Sequence, residues 1–160
     1  MKTKLFTVLV LILFSVHTAA QQKNRYFKAD SATLMQWHGG ASDAPSGTSY
    51  TFYLAFKKDC MIKFDSVWIG TEKSLPVFMI TTSGYKGIDS IFKKDSTYIL
   101  YVQIYNPGSF IYFEKKDEQE NSSPTPVKYD GAALIRFYVN GKKHYCSVGS
   151  FHTLPSPQYP

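Results

Sequence analysis

A histidine and a cysteine stand two residues apart in the segment FYVNGKKHYCSV, residues 137–148. A histidine can activate a cysteine thiolate for acyl transfer, and the same two residue types bind zinc. Acyl transfer also requires an exposed thiolate and an oxyanion hole, and a zinc site requires three or four protein ligands. His38, His144 and His152 are isolated from one another, and no CxxC, HxH or HExxH pattern occurs. The sequence therefore predicts no catalytic residue, no metal ion and no cofactor.

The two cysteines of the chain, Cys60 and Cys146, leave two alternatives open. They stand 146 − 60 = 86 positions apart. An even cysteine count in an exported protein is compatible with a disulfide, which would stabilise the fold by about 4–5 kcal/mol in the chain-entropy model. The other alternative is two buried free thiols, because cysteine packs as a small apolar side chain.

Other catalytic motifs are not evident. The Gly/Ser-rich segment 40–49 lacks the lysine of a phosphate-binding loop, and no G-x-S-x-G nucleophile elbow occurs. The chain has 12 Asp and Glu residues, and no pair of them lies on two strong predicted strands as in a glycosidase. A hydrolase with carboxylates on distant loops stays open as one functional alternative; two others are given at the end of this section.

The N-terminus has the pattern of a secretory signal peptide. Two lysines precede a short apolar run, and the small residues that signal peptidase requires follow it at 18–20. The run is shorter than the ~20 apolar residues of a membrane-spanning helix. We therefore expect a signal peptide at 1–20, cleavage near Ala20, and a periplasmic or secreted mature chain, 21–160, without a membrane span.

The composition of the predicted mature chain indicates one β-rich domain. Removal of the leader leaves 160 − 20 = 140 residues, the size of a single domain. The net charge is then 16 − 12 = +4 with neutral histidines, and charges of both signs are scattered along the sequence. Because no dense Lys/Arg segment occurs, we expect no nucleic-acid binding. The 12 tyrosines and 12 phenylalanines favour strands over helices.

Short apolar or alternating segments recur between turn residues, which predicts an all-β fold, an antiparallel β-sandwich of about seven strands. Pro76 has no backbone N–H to donate, so we expect the strand that contains it at a sheet edge. The predicted strands are 32–40, 50–58, 61–70, 74–82, 96–106, a short strand within 107–116, and the two strands on either side of Asn140-Gly141.

Asn-Gly at 140–141, between two alternating segments, predicts a two-residue turn that fixes the register of a β-hairpin. In this register Phe137 faces His144 and Ile135 faces Cys146 on the more apolar side. We expect that side to face the core, which buries Cys146 and leaves His144 near the open end of the sandwich. The outer side of the hairpin then carries Tyr138 beside Lys143, and Arg136 beside Tyr145.

The strand pattern with its terminal hairpin resembles an immunoglobulin-like sandwich, and Tyr129, just before Asp130-Gly131, is similar to the corner tyrosine of that fold. The paired cysteines and packed tryptophan of immunoglobulin domains are not matched clearly, because Cys60 stands beside a strand start. The whole chain also resembles small exported β-proteins of Gram-negative bacteria. That resemblance implies a compartment and an architecture, and it carries no common activity.

These observations favour an exported, non-enzymatic β-sandwich that binds a partner protein or the cell envelope. The outer side of the hairpin is the expected partner surface, because tyrosine and arginine are enriched at binding hot spots. Its residues are Arg136, Tyr138, Lys143 and Tyr145. The alternative function is a carbohydrate-binding module, in which Trp37 stacks on a sugar of an envelope glycan.

Overall fold

A computed structural model describes residues 24–40, 44–70, 74–75, 78–81, 84–85, 89–106 and 125–157 of the 160-residue chain. The predicted signal peptide, Pro76 and the predicted strand within 107–116 lie outside these residues. Across the ranges that the structure describes, no helix has the length and apolar character that crossing a bilayer would require.

The described part of the chain is built from strands alone. Aromatic and β-branched residues dominate the longer ones, and their side chains alternate between the two faces of a sheet. Eleven strands and no helix occur in the described ranges: β1 (Phe27–His38), β2 (Ser46–Phe56), β3 (Cys60–Ile69), β4 (Ser74–Leu75), β5 (Phe78–Thr81), β6 (Gly84–Tyr85), β7 (Asp89–Phe92), β8 (Thr97–Tyr105), β9 (Ala133–Val139), β10 (Lys142–Val148) and β11 (His152–Leu154).

The strands form two sheets. Sheet A has the strand order β11-β1-β2-β8-β5-β6, in which β11 runs parallel to β1 and the other neighbours are antiparallel. Sheet B has the order β10-β9-β3-β4, and β7 also pairs with β3. The two sheets pack on a shared apolar core. The predicted all-β, sandwich-like architecture is therefore confirmed.

The number of strands exceeds the predicted seven because very short strands leave no clear pattern in a sequence. The predicted strand at 74–82 is divided between the sheets: β4 pairs with β3 in sheet B, and β5 pairs with β8 in sheet A. Only β4 lies at an edge, as expected for this segment, since β5 lies between β8 and β6. The segment 89–92 forms β7, although its sequence pattern predicts no strand.

Aromatic rings join the two sheets near the hairpin turn. Phe27 of β1 is fully buried, and its ring centroid lies 4.9 Å from that of Phe137 in β9 and 5.7 Å from that of Phe64 in β3. Phe56 of β2 stacks on Phe92 of β7 with the centroids 4.6 Å apart. Burial of one such side chain contributes about 1.5–3 kcal/mol. Closely packed aromatic rings from both sheets therefore form the core at this end of the sandwich.

The β9–β10 hairpin has the predicted register. Phe137 pairs with His144, and Ile135 pairs with Cys146. Asn140 has a φ of 50° and the following glycine a φ of 72°, the left-handed values that a two-residue hairpin turn requires. Ile135, Phe137 and Cys146 are buried, so the predicted inner side does face the core.

The disulfide alternative is wrong, because Cys60 and Cys146 are both free thiols. Cys60 begins β3, whereas Cys146 pairs with Ile135, which in turn pairs with Val67 near the far end of β3. From residue 60 to residue 67 the strand extends roughly 20 Å, and the strand β9 separates β10 from β3. An S–S bond requires Cα atoms within about 7 Å of each other. The structure therefore agrees with the free-thiol alternative.

Tyr129 ties the end of β3 to the loop that precedes β9. Its hydroxyl donates a hydrogen bond to the carbonyl of Gly70, and the amide of Gly70 donates to the carbonyl of Ala132 at 3.0 Å. Partial burial raises the pKa of the tyrosine hydroxyl, which keeps it protonated as a donor. The hydroxyl of a corner tyrosine bonds the backbone a few residues upstream, whereas Tyr129 bonds a carbonyl 59 residues away, so the predicted corner role is not confirmed.

Candidate functional site

The four residues predicted to bind a partner share the outer face of sheet B. Tyr138 pairs with Lys143, and Arg136 pairs with Tyr145, in the hairpin register. The first pair lies closer to the turn at 140–141 than the second. The structure therefore brings these side chains onto one surface, but it gives them different surroundings.

Arg136 is engaged within the sheet. Its guanidinium forms an ion pair and a hydrogen bond with Asp65, and it donates to the hydroxyl of Ser66 at 2.8 Å. The Arg136 Cζ also lies 5.0 Å from the ring centroid of Trp68, a cation–π contact. Only 23% of the Arg136 side chain is exposed. Arg136 therefore holds β3 to β9 and is not a free anchor for a partner.

Asp65 reaches Arg136 because of an irregularity in β3. The register between β3 and β9 shifts between Phe64 and Ser66, so one residue of β3 has no pairing partner there. Such a bulge turns the extra side chain away from its regular position. Here that residue is the aspartate, and the sequence alone gave no indication of its pairing with Arg136.

The outer face of sheet B is closed at one end and open at the other. Trp68 and Leu134 pair with each other on this face, and both are buried. Towards the hairpin turn, by contrast, an open groove of about 450 Å³ crosses the face. Its lining residues are Met61, Lys63, Asp65, Tyr138, Asn140 and Gly141. Tyr138 is therefore the predicted binding residue that lies in the groove.

Two exposed apolar side chains lie on the β3–β7 pair beside this groove. Met61 pairs with Ile91, and their exposed fractions are 58% and 59%. Single exposed apolar residues are common on protein surfaces, whereas contiguous apolar patches mark interaction sites, and this adjacent pair extends from the groove lining. The alternation of β3 signals that Met61 points outward, whereas Ile91 was missed because β7 has no recognisable strand pattern.

His144 and Cys146 have the surroundings of structural residues. The His144 ring stacks on Phe137, with centroids 5.4 Å apart, and meets Tyr26 edge-on at 5.2 Å. Burial lowers the pKa of His144, and the charges of Arg25 and Lys142 lower it further. Burial raises the pKa of the Cys146 thiol, so the thiolate is disfavoured. The pair therefore lacks an activated nucleophile.

Trp37 lies on the outer face of sheet A. Its ring meets Tyr105 edge-on, with centroids 5.5 Å apart and planes at 87°. The indole covers Gly47, where an added Cβ would lie 2.9 Å from the Trp37 ring. Tyr105 is 44% exposed. This arrangement presents two aromatic rings at one end of the face.

The centre of this outer face carries hydroxyl and amide groups and no formal charge. Ser49 and Tyr101 share a hydrogen bond of 2.7 Å, and the Tyr101 hydroxyl donates to Gln103 at 3.3 Å. By strand register, this part of the face carries Ser31, Thr33, Met35, Trp37, Gly47, Ser49, Thr51, Tyr53, Ile99, Tyr101, Gln103 and Tyr105 from β1, β2 and β8. The same face continues to Lys28, Ala55 and Thr97 near the β2–β3 turn. The face is thus suited to an uncharged, hydroxyl-rich ligand.

Within the described ranges, no group of three or more His, Cys, Asp or Glu residues is placed to hold a metal ion. Comparison with protein-family models, with curated proteins and with solved structures finds no match for this chain. The candidate sites therefore depend on the geometry of the two outer faces alone.

Proposed function

We propose that this chain is an exported, non-enzymatic interaction module that binds a partner protein through the open part of the outer face of sheet B. The observation that carries the proposal is the exposed Met61–Ile91 pair next to the groove that contains Lys63 and Tyr138. The signal-peptide pattern of residues 1–20 supports export to the periplasm or beyond the cell.

The chemistry of this surface fits a protein interface. Apolar side chains at the centre of an interface gain free energy when a partner removes them from water, and tyrosine is enriched among hot-spot residues. Lys63 and Asp65 give the groove a polar edge, where charges steer association. Arg136 contributes indirectly, because its ion pair with Asp65 fixes one wall of the groove. Of the predicted surface, Arg136 then supports the groove and does not itself contact the partner.

Two packed sheets and the terminal hairpin also support the immunoglobulin-like arrangement that the sequence suggested. That arrangement is part of the proposal. It matters for function because sandwiches of this type commonly use an outer sheet face or the loops for recognition.

A photo-crosslinking residue at position 61 or 138 tests the proposal in living cells. We expect a discrete adduct from each of these positions. Tyr53, a half-buried tyrosine on the outer face of sheet A, provides the matched control position and should give no adduct. Tyr138→Ala should weaken capture of the identified partner by about tenfold or more, whereas Tyr53→Ala should leave it unchanged. Equal adducts from positions 53 and 138 would contradict the proposal.

Carbohydrate binding is the second candidate function, and the Trp37–Tyr105 pair favours it. Aromatic rings stack on the C–H faces of sugars, and the uncharged hydroxyl and amide groups of the same face can hydrogen-bond to sugar hydroxyls. A glycan array followed by a fluorescence titration tests this candidate. Trp68 is fully buried, so a sugar-dependent change in emission should come from Trp37 and disappear in Trp37→Phe. An unchanged response in that variant would contradict sugar binding at this face.

A further inference from the structure

Three lysine pairs that are distant in the sequence lie at the same end of the sandwich. They are Lys57-Lys58, Lys93-Lys94 and Lys142-Lys143. Each pair lies in or beside a short turn: the β2–β3 turn, the β7–β8 turn and the β9–β10 turn. The segment 24–26, just before β1, lies at the same end. We call residues 24–26, 57–59, 93–96 and 140–143 together the basic end.

Direct contacts hold these four segments next to one another. The amide of Lys57 donates to the carbonyl of Tyr26 at 2.8 Å, which joins the β2–β3 turn to the segment before β1. The amide of Lys94 donates to the carboxylate of Asp59 at 2.8 Å, which joins the β7–β8 turn to the β2–β3 turn. The Tyr26 ring meets His144, which joins the same segment to the hairpin. The basic end is thus one continuous surface.

The basic end has a large excess of positive charge. Its charged residues are Arg25, Lys57, Lys58, Asp59, Lys93, Lys94, Asp95, Lys142 and Lys143, which gives 7 − 2 = +5. Both aspartates already have lysine partners within the same surface: Asp59 bonds Lys93 at 3.0 Å, and Asp95 lies 3.7 Å from Lys94. The remaining cations have no acidic partner among the described residues.

Two of these cations lie against one buried aromatic ring, and a third bonds the segment that carries the ring. The Lys58 Nζ lies 4.3 Å from the Tyr26 ring centroid, and the Arg25 Cζ lies 5.4 Å from it. The Lys57 Nζ donates to the backbone carbonyl of Asn24 at 3.1 Å. Like charges held this close repel one another, and a bound anion would relieve that repulsion. The described residues therefore gather more cations at this end than they supply anions to balance.

We propose that the basic end docks on the anionic surface of a phospholipid bilayer. The cations cover an area and do not follow a line: Lys57-Lys58 follow a strand of sheet A, Lys142-Lys143 begin a strand of sheet B, and the two sheets lie about 10 Å apart. A planar array of lipid phosphates contacts all of these side chains at once, whereas a linear polyanion contacts only one row of them. Each lysine near such a surface strengthens binding by roughly fivefold.

The charge distribution also defines how the molecule would stand on the membrane. The described connections at the opposite end of the sandwich carry Lys128 and Asp130 as their only charged residues, which cancel. Because the described residues concentrate positive charge at one end, the strands should stand upright on the surface. The open groove of sheet B then faces sideways and stays accessible to a protein partner. Asn140 and Gly141 line the groove and also belong to the basic end.

Vesicle co-sedimentation of the exported chain tests this inference. One set of vesicles is phosphatidylcholine alone, and the other is phosphatidylcholine mixed with phosphatidylglycerol at roughly 2:1. We expect binding only to the anionic vesicles, and we expect roughly 0.5 M NaCl to release the chain because salt screens surface charges. The double variant Lys57→Gln with Lys58→Gln should bind at least tenfold more weakly.

A matched pair of single variants separates location from total charge. Lys142→Gln and Lys128→Gln both remove one exposed lysine, the first from the basic end and the second from the opposite end. Lys142→Gln should weaken vesicle binding by roughly fivefold, and Lys128→Gln should leave it unchanged. All variants carry the same N-terminus, so a leader cannot cause a difference between them, and their melting temperatures check folding.

Three outcomes would overturn the inference. The first is equal binding to the neutral and the anionic vesicles. The second is an equal loss of binding in Lys142→Gln and Lys128→Gln. The third is lysine-dependent capture of soluble dextran sulfate with no vesicle binding, which would assign the surface to a polymer. Tyr138→Ala should not alter vesicle binding, so failure here is distinguishable from failure of the proposed protein interface.

Discussion

The two ends of the sandwich differ in charge and in construction, although the same strands run between them. The basic end has a net charge of 7 − 2 = +5, whereas the described connections at the opposite end sum to zero. Turns of two to four residues, at 57–59, 93–96 and 140–141, form most of the basic end. At the opposite end, residues 39–45 separate β1 from β2, and residues 106–132 separate β8 from β9.

This difference shows how a fold can concentrate charge without a charged segment. A short turn leaves its residues little freedom relative to the strands that it joins, so lysines in three such turns stay close together. The aromatic cluster around Phe27 lies directly beneath them and fixes the strand ends. Charge repulsion at this end is therefore opposed by core packing.

Removing the aromatic support should have the largest effect. Phe27 is fully buried and contacts both sheets beneath the basic end. Phe27→Ala should lower the free energy of unfolding by about 3–5 kcal/mol, because it leaves a cavity in a packed core. Denaturant titration measures the loss. Val148→Ala, a smaller truncation of a buried residue nearer the opposite end, should cost less. A loss below about 1 kcal/mol for Phe27→Ala would contradict the assigned role.

Changing the backbone conformation of the hairpin turn should have the next largest effect. Asn140 has a φ of 50°, which a β-branched residue adopts only with strain. Asn140→Val should therefore lower the free energy of unfolding by about 1–2 kcal/mol, whereas Asn140→Gly should be close to neutral. Thermal unfolding of both variants provides the measurement. If the two variants unfold alike, the turn does not determine the geometry at Lys142.

Acidification should produce a smaller loss of stability that originates at His144, next to the basic end. His144 has a folded pKa below its ordinary value of 6.5, because of burial and the nearby charges of Arg25 and Lys142. The unfolded chain therefore binds a proton at His144 more readily than the folded chain. Stability is fully present above about pH 6.5 and falls as the pH drops towards the folded pKa.

Melting temperatures measured between pH 8 and pH 5 check this expectation (roughly the range in which histidine titrates). His144→Phe keeps an aromatic ring against Phe137 and removes the titrating group, so its melting temperature should fall less on acidification. His38 is exposed and lies at the opposite end, so the melting temperature of His38→Gln should fall on acidification as much as that of the wild type. An identical decrease in wild type and His144→Phe would show that His144 is not the source.

Addition of a reductant should have the smallest effect on stability, because both cysteines are already free thiols. Cys60 lies near the basic end and Cys146 lies further along the sandwich, so no bond joins them. Alkylation of the unreduced, denatured protein should label both cysteines, and a reductant should leave the melting temperature unchanged. If the two cysteines were alkylated only after the protein had been reduced, the disulfide alternative would be restored.

The hairpin illustrates what the sequence predicts well. Asn140-Gly141 is a local signal, and the register of β9 against β10 follows from the geometry of two residues. The inward position of Cys146 follows from the same alternation. By contrast, the division of 74–82 between β4 and β5, the β7 strand and the parallel pairing of β11 with β1 all depend on partners distant in the sequence. No local pattern encodes them.

The candidate sites were predicted in part. The shared outer face of Tyr138 and Lys143 came from the hairpin register, whereas the groove depends on β3 residues such as Met61 and Lys63, which lie beside β9 only in the tertiary structure. The engagement of Arg136 with Asp65 depends on a bulge that the sequence does not reveal. Of the four predicted residues, Tyr138 lines the groove and Arg136 is engaged within the sheet, so the binding surface itself stays a prediction.

The sequence by itself determined the residue classes and the short-range geometry: an all-β chain, a hairpin of known register, and an inward Cys146. These follow from side-chain periodicity and turn chemistry, which act over a few residues. Only the tertiary structure decided which turns share an end. Three lysine pairs that appear scattered along the sequence form one basic surface, because antiparallel strands return the chain to the same end at every second turn.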